Sequence, residues 1–566
     1  MRAELERRID AALGRRAADL AIRNARILDL ATGALTPSDI AIVGGWIVGT
    51  HDEYRGLAEL DAGGRVVVPG FIDAHMHVES TLLPPGDFER MVLPRGTTTA
   101  FADPHEIANV LGLAGLAWFL ESAAALRMDL RIELSSCVPA SPLETAGAAL
   151  TAADLAPLMD HPRAWGLAEF MNVPGVLAKD AVCLDKLAAF QHRLIDGHAP
   201  LVGGRALNAL AACRIRNDHE STSLAEAREK LSKGMQVLMR EGSTTRDVAA
   251  LAPLLDAYTS PFIAFCTDDR TPLDIAAEGH MDFVLRRALA HGAPPRAVYR
   301  SASWSAAQAA GLTDRGLIAP GWRADLVLLD DLATCAVHDV LLAGQRVAEL
   351  DFAARPLPAP IGRRSIRRAP VTAEDFRVPA PGPSSPVIGA GDGRILTEHR
   401  RADLPWHGGA RHADPARDLL KVAVLERHGR NGNIGRGFVQ GFGLQAGALA
   451  SSVGHDAHNL IVAGTNDADM ALAVNRLIAL EGGFVAVRDG AVLAELALPL
   501  AGLMSLAPEA EVRAGLARLH QANRALGGSL REPFLTLAFL PLSVVPHLKI
   551  TDHGLIDVDR FALVEA

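Results

Sequence analysis

Cysteine and aromatic side chains are scarce in this sequence. Five cysteines (Cys137, Cys183, Cys213, Cys266 and Cys335) are scattered over 566 residues with no CxxC pair. An odd number without close spacing argues against a disulfide framework or a zinc ribbon and fits a reducing compartment. Aromatics make up 5% of the chain and include three Tyr, too few for stacking platforms on single-stranded nucleic acid. Basic charge is also short. Lys and Arg number 56 against 66 Asp and Glu, a net charge of −10 without long like-charge blocks. A whole-protein footprint for nucleic acid is therefore absent. No uncharged apolar run reaches the roughly 18 residues of a membrane span. The candidate TLAFLPLSVVPHL is short and holds two prolines. The opening stretch MRAELERRIDAALGRRAADL carries charges every few residues, so it reads as an amphipathic helix to about Leu20 and not as a signal peptide. A soluble, cytoplasmic protein is expected.

What is present is core-forming material. Hydrophobic residues make up 49% and charged ones 22%, with mean hydropathy of +0.16. That composition excludes disorder for the bulk of the chain, and the length suits roughly three to four domains. Short strands broken by glycine recur at both ends of the first two-thirds, as in LAIRNARILDL and RADLVLLDD. They predict one small β-sandwich domain assembled from 1–68 and 315–354. Between them, eight apolar runs alternate with helical stretches: GFIDAH, GTTTAFADPH, RIELSSCVP, AWGLAEF, LIDGHAP, CRIRNDHE, MQVLMREG and FIAFCTDD. Eight strand–helix units over 69–314 predict a (β/α)8 barrel, with a doubly wound open sheet as the alternative. Residues 355–386, rich in proline and containing GRRSIRR, read as a linker or an arm that tracks the protein surface. A further α/β domain is expected over 387–566. The fold class is thus α/β.

The chemistry sits at the ends of the predicted strands. His75 and His77 are two apart on one strand and point to the same side, so both can reach one metal. Glu169, His198, His219 and Asp268 end four further runs. Four imidazoles and two carboxylates at strand ends can surround two divalent ions, and nitrogen and oxygen donors suit Mn, Fe or Zn. His105 and Glu106 end the second run and Glu79 follows the HxH. They fit substrate-binding or ligand-orienting roles, and His105 also suits an additional metal. Asp269 adjoins Asp268. In the last third, GHDAHN packs His455, Asp456, His458 and Asn459 together, by itself a loop of modest metal potential. The Gly-rich stretch from Gly429 to Gly443 has neither Walker nor Rossmann spacing and reads as turns.

In this arrangement the sequence resembles the amidohydrolase superfamily, which places HxH on strand one, a bridging carboxylate on strand four, His on strands five and six and Asp on strand eight. Many members bridge the metals with a carboxylated lysine. The nearest lysine here is Lys179, in a loop past the strand end, so Glu169 takes the bridging position. PGFIDAHMHVEST, RGTTTAFADPHEIANV, NDHEST, FCTDDR, SSVGHDAHNLIVAG and PHLKITDHGLIDV resemble, more narrowly, the long, binuclear adenine deaminases of bacteria over most of the chain.

The resemblance implies hydrolytic deamination of a small purine by hydroxide shared between two divalent ions, manganese first, with iron or zinc as alternatives. It implies that His455–Asn459 reach the barrel mouth and enclose the substrate. Asp268 is the expected proton shuttle and Glu220 a second acid/base group, or else the partner that orients His219. Another cyclic amide or amidine hydrolase (cytosine- or guanine-deaminase-like, or dihydroorotase-like) and a non-catalytic scaffold are the alternatives. No nucleic-acid or membrane partner is expected, and a symmetric homo-oligomer is the base-rate assembly.

Overall fold

The computed structural model describes residues 2–564 and is α/β throughout. The opening helix spans Arg2–Ala12, shorter than the sequence predicts. Gly14 adopts φ +69°, a left-handed conformation that ends helices readily, and a strand begins at Ala18. Where two stacked sheets are expected from the flanking strands, the hydrogen bonding forms one sheet. Ala18–Leu28 pairs with Leu35–Val43 on one edge and with Gly56–Asp61 and then Val66–Pro69 on the other. Val66–Pro69 in turn pairs with Leu326–Asp331, so the two ends of the first two-thirds meet antiparallel. Side chains of non-neighbouring strands, among them Ile47 and Leu341, share one apolar cluster, so the sheet wraps its own core.

Eight parallel strands follow: β1 (Phe71–Met76), β2 (Thr97–Ala102), β3 (Asp129–Leu134), β4 (Ala164–Phe170), β5 (Leu194–Gly197), β6 (Asn217–Asp218), β7 (Gln236–Arg240) and β8 (Ile263–Cys266). Each overlaps one of the eight apolar runs, with β1 reaching one residue past its run and β3 beginning two residues before its own. Most of their residues are buried, as parallel strands covered on both faces require. β1 to β5 form one sheet and β6 to β8 another. The sheets meet at both edges. Arg216 N donates to Ile195 O at 3.3 Å beside β5, and Asp268 N donates to His75 O at 3.1 Å between β8 and β1. Helices between the strands begin on side-chain caps where the sequence supplies them, as Ser223 does for Leu224–Ser232 and Thr271 for Pro272–Glu278.

The last third contains an eight-stranded mixed sheet running from Glu398–Asp403 at one edge to Ala491–Ala497 at the other. Helices Asp467–Ala479 and Glu509–Ala525 pack on it. The stretch 355–386 is not a free linker. Arg367 N donates to Arg427 O at 2.7 Å and Val371 N to Asn475 Oδ1 at 2.8 Å. Val371 and Phe376 join the apolar cluster of Val462 and Leu477, and strand Ser384–Gly389 begins inside the stretch. Among the described residues, no helix is long and apolar enough to cross a membrane.

Candidate active site

β1 runs into Asp73-Ala74-His75-Met76-His77, and alternation sends Asp73, His75 and His77 to one side. Asp73 accepts hydrogen bonds from Thr267 N (3.1 Å) and Thr267 Oγ1 (2.5 Å), which locks the end of β8 to β1. Asp196, two residues before His198, lies 2.7 Å from His75 Nδ1 and turns the other ring nitrogen inward. The Asp103 carbonyl does the same for His77, 3.0 Å from Nδ1.

Both histidines therefore aim Nε2 at the same carboxylates. His77 Nε2 is 3.4 Å from Glu169 Oε1 and 3.2 Å from Asp268 Oδ1; for His75 Nε2 the distances are 4.0 and 3.8 Å. The other oxygen of Glu169 faces the other pair. Oε2 is 2.8 Å from His198 Nδ1 and 3.4 Å from His219 Nε2. None of these six residues is more than 5% exposed.

The donor set fits divalent cations. His75 Nε2, which is aimed at Glu169 and Asp268, is buried without a hydrogen-bond partner, a costly condition that a cation relieves. Orienting partners such as Asp196 are what metal-binding imidazoles ordinarily have. The electrostatics agree. Burial opposes charge on Glu169, yet hydrogen bonds from His198 and His219 outweigh it and hold the carboxyl well below its usual range. Asp268 is held low against burial by His77 and Arg240. Burial works against protonation of His219, but Glu169 and Glu220 raise it well above the ordinary histidine range. The carboxylates thus demand positive charge at this point.

A second ring of residues surrounds the six. His105 heads helix His105–Leu111, with Nδ1 2.9 Å from Asp103 Oδ2 and 3.5 Å from Glu169 Oε1. Glu79 accepts from Ile107 N at 3.3 Å, and burial together with the Glu79 charge pushes Glu106 well up. Asp269 accepts a hydrogen bond from the Ser80 hydroxyl and lines the cavity. Glu220 also lines it, with Oε1 3.4 Å from His219 Nε2 and 3.7 Å from His198 Nδ1.

The last third roofs this cavity. His455 and Asp456 line it, and Asp456 Oδ1 is 3.4 Å from His105 Nε2. Both Asp456 oxygens lack a hydrogen-bond partner; burial opposes their charge, but His105 brings the pKa down to about 2. His458 and Asn459 stand behind. His458 Nδ1 accepts from Gly454 N at 3.2 Å, and Asn459 Nδ2 donates to Thr145 O at 2.9 Å, tying the loop to the segment after β3.

Sequence reasoning missed Arg240, the last residue of β7. Its fully buried guanidinium donates to both Glu220 oxygens, to Asp268 Oδ2 at 3.0 Å and to Asp247 Oδ2 at 3.1 Å. The signal was its position, since the ends of β3 and β7 were the two strand ends left without a role, and Arg240 closes β7. Asp103 and Asp196 share another missed signal, an Asp two residues before a site histidine. The apolar walls Met171, Ile395, Phe539 and Leu542 gave none.

The Amidohydrolase family model matches residues 66–347, and the Adenine deaminase C-terminal domain model matches 394–562. The adenine deaminase of Methylobacterium nodulans is 60% identical over 566 residues, all of both chains. Adenine deaminase 1 of Rhizobium etli is 56% identical over 564 residues, again with full coverage of both. A solved adenosine deaminase from Xanthomonas campestris with bound zinc is 17% identical, with a TM-score of 0.45 over 60% of this chain and 96% of its own. On the full-length identities and the two family matches, the chain belongs to the adenine deaminase family of amidohydrolase enzymes.

Proposed function

We propose that the protein hydrolyses adenine to hypoxanthine and ammonia, in purine salvage and nitrogen metabolism in the cytoplasm, as a symmetric homo-oligomer. One observation carries this reading: His77, Glu169, His198, His219 and Asp268, all buried, line a cavity with His455 and Asp456 of the last third, and His75 aims Nε2 at Glu169 and Asp268 beside it. The chain also aligns end to end with adenine deaminases. In this reading β1 to β8 act as one (β/α)8 barrel over 69–314, flanked by the composite sheet and followed by the domain of 387–566.

His75, His77, Glu169, His198, His219 and Asp268 would hold two divalent cations, manganese first in this reading, with iron and zinc also compatible with nitrogen and oxygen donors. Support for Glu169 as the bridge is that its two oxygens face different histidine pairs. When bound, such cations lower the pKa of water toward neutrality and provide a nucleophile for C6 of the purine.

The chain's own residues then bind the base and move protons. Asp268 accepts the proton that water gives up and delivers it to ring N1. The remaining hydroxyl proton follows to the amino group, so that water's two hydrogens end on N1 and on ammonia. Glu220 is kept ionised by Arg240 against the cost of burial, which suits it as an acceptor beside the reacting centre. Asp456, with two unpartnered oxygens, accepts a purine ring N–H, and His105 holds Asp456 in place.

The test is ammonia release by metal-loaded protein given adenine, adenosine, guanine or cytosine in turn. Adenine is expected to be turned over far faster than the rest. Preferential turnover of guanine or cytosine would overturn the assignment.

A further inference from the structure

Lys549 lies on strand Leu548–Thr551, within the PHLKITDHGLIDV stretch, and is fully buried. Its Nζ donates to two main-chain carbonyls, Ile395 O at 2.7 Å and Phe539 O at 3.1 Å. Burial pushes its pKa down to about 7. Among the described residues, no carboxylate pairs with it. A desolvated cation without an anion costs stability, and an apolar side chain of the same length would fill the space without that cost. Its distinctive contribution is the pair of hydrogen bonds.

Those bonds end on the walls of the candidate site. Ile395 and Phe539 line the cavity with the histidines, and the Phe539 ring centroid is 5.1 Å from that of His455. Ile395, together with Glu220 and Arg240, also lines a larger cavity bounded by Leu201, Thr222 and the Gly389–Arg394 backbone. It stands where the two cavities meet. Both walls belong to an apolar cluster that includes Cys137 and Met171, the latter also lining the cavity. Neighbours of Lys549 fix the same roof: Thr551 Oγ1 donates to Leu143 O at 2.6 Å, and Asp552 Oδ1 accepts from Thr145 N at 2.9 Å.

We propose that Lys549 is a positioning residue for substrate: by holding the backbone of Ile395 and Phe539, it fixes the apolar face against which the flat purine ring lies. The inference rests on the adenine reading above. A planar heteroaromatic base gains most from a wall set at stacking distance, and a wall that drifts loses that gain without touching the proton-transfer groups.

The experiment compares Lys549→Met, Lys549→Gln and Ile395→Ala with the wild type in metal-loaded form, recording metal content, KM and kcat for adenine. Lys549→Met is expected to keep both metals and to raise KM about tenfold with kcat changed less than about threefold, the pattern of lost uniform binding. Lys549→Gln, which retains an amide donor, is expected to fall between Met and wild type. A Lys549→Met protein with full metal content and wild-type KM would overturn the proposal. If that variant does not fold, Ile395→Ala decides: a raised KM supports the wall, and an unchanged KM overturns it. Wild-type protein with full metal and no adenine turnover would overturn the adenine reading and this role with it.

Discussion

Arg240 Nη1 lies 3.0 Å from Asp268 Oδ2, so the carboxylate expected to carry protons has its outer oxygen held by a buried guanidinium. The same guanidinium grips Glu220 with two nitrogens. A proton arriving at Asp268 therefore does so on the oxygen nearer His77, or displaces Arg240. The two carboxylates beside the reacting centre share one fixed cation, which sets their spacing and keeps both ionised.

Replacing Arg240 tests this coupling. Arg240→Lys keeps the charge but cannot span both carboxylates with a planar fork. The expected outcome is a fall in kcat of roughly 10²-fold, within the usual span for disturbed acid–base groups, with metal retained. Unchanged kcat in Arg240→Lys would show that charge alone suffices.

Glu169→Gln addresses the bridge. An amide offers one carbonyl oxygen where the carboxylate presents two charged ones, to His77 on one side and to His198 and His219 on the other. Elemental analysis of the folded variant is expected to show loss of at least one of two ions, with turnover nearly abolished. Two ions at wild-type affinity together with full activity would refute the assignment.

The eight barrel-type strands were legible because buried parallel strands are short apolar runs, and the helices between them carry their own caps, as at Ser223 and Thr271. The histidines that cluster around Glu169 were legible because they stand at the ends of those runs. The sixth strand shows the limit: CRIRNDHE reads as a full strand, but only Asn217 and Asp218 pair as one. Periodicity shows what can be buried, not which backbone groups find partners. For 355–386 a linker and a surface-tracking arm both stayed open, because proline-rich composition does not reveal that Val371 and Phe376 have an apolar cluster to join. Ile395, Phe539 and Lys549 were invisible as site residues, since only the folded chain brings segments so far apart in sequence to one cavity.

Asp456→Asn tests recognition of the base. A hydrogen bond to a buried charged acceptor is worth about 1.5–3 kcal/mol, so KM for adenine is expected to rise about 10- to 100-fold. Metal content is expected to stay at two ions. Loss of an ion would make Asp456 a ligand, and an unchanged KM would remove it from substrate binding.

Lys549 gives a pH dependence of stability with a definite sign. Its folded pKa is about 7, against about 10.4 for an unperturbed lysine. Between these values the unfolded chain binds a proton that the folded chain lacks, so this group's contribution to stability rises with pH across that window and is least favourable below about 7. Lys549→Met lacks the titration. The variant is therefore expected to exceed wild type in stability near pH 7 and to lose that lead as pH approaches 10, measured by chemical denaturation at each pH. A stability difference that stays constant with pH would contradict the burial of an unpaired ammonium.

The central claim is hydrolytic deamination of adenine at a centre of two divalent cations. Its most direct test is to strip the protein of metal, add Mn(II) in measured equivalents, and follow ammonia and hypoxanthine release from adenine. The expected result is no turnover in the stripped protein, equal yields of both products, and activity that rises to a break at two equivalents per chain. Adenine turnover by the stripped protein, or full activity at one equivalent, would contradict it.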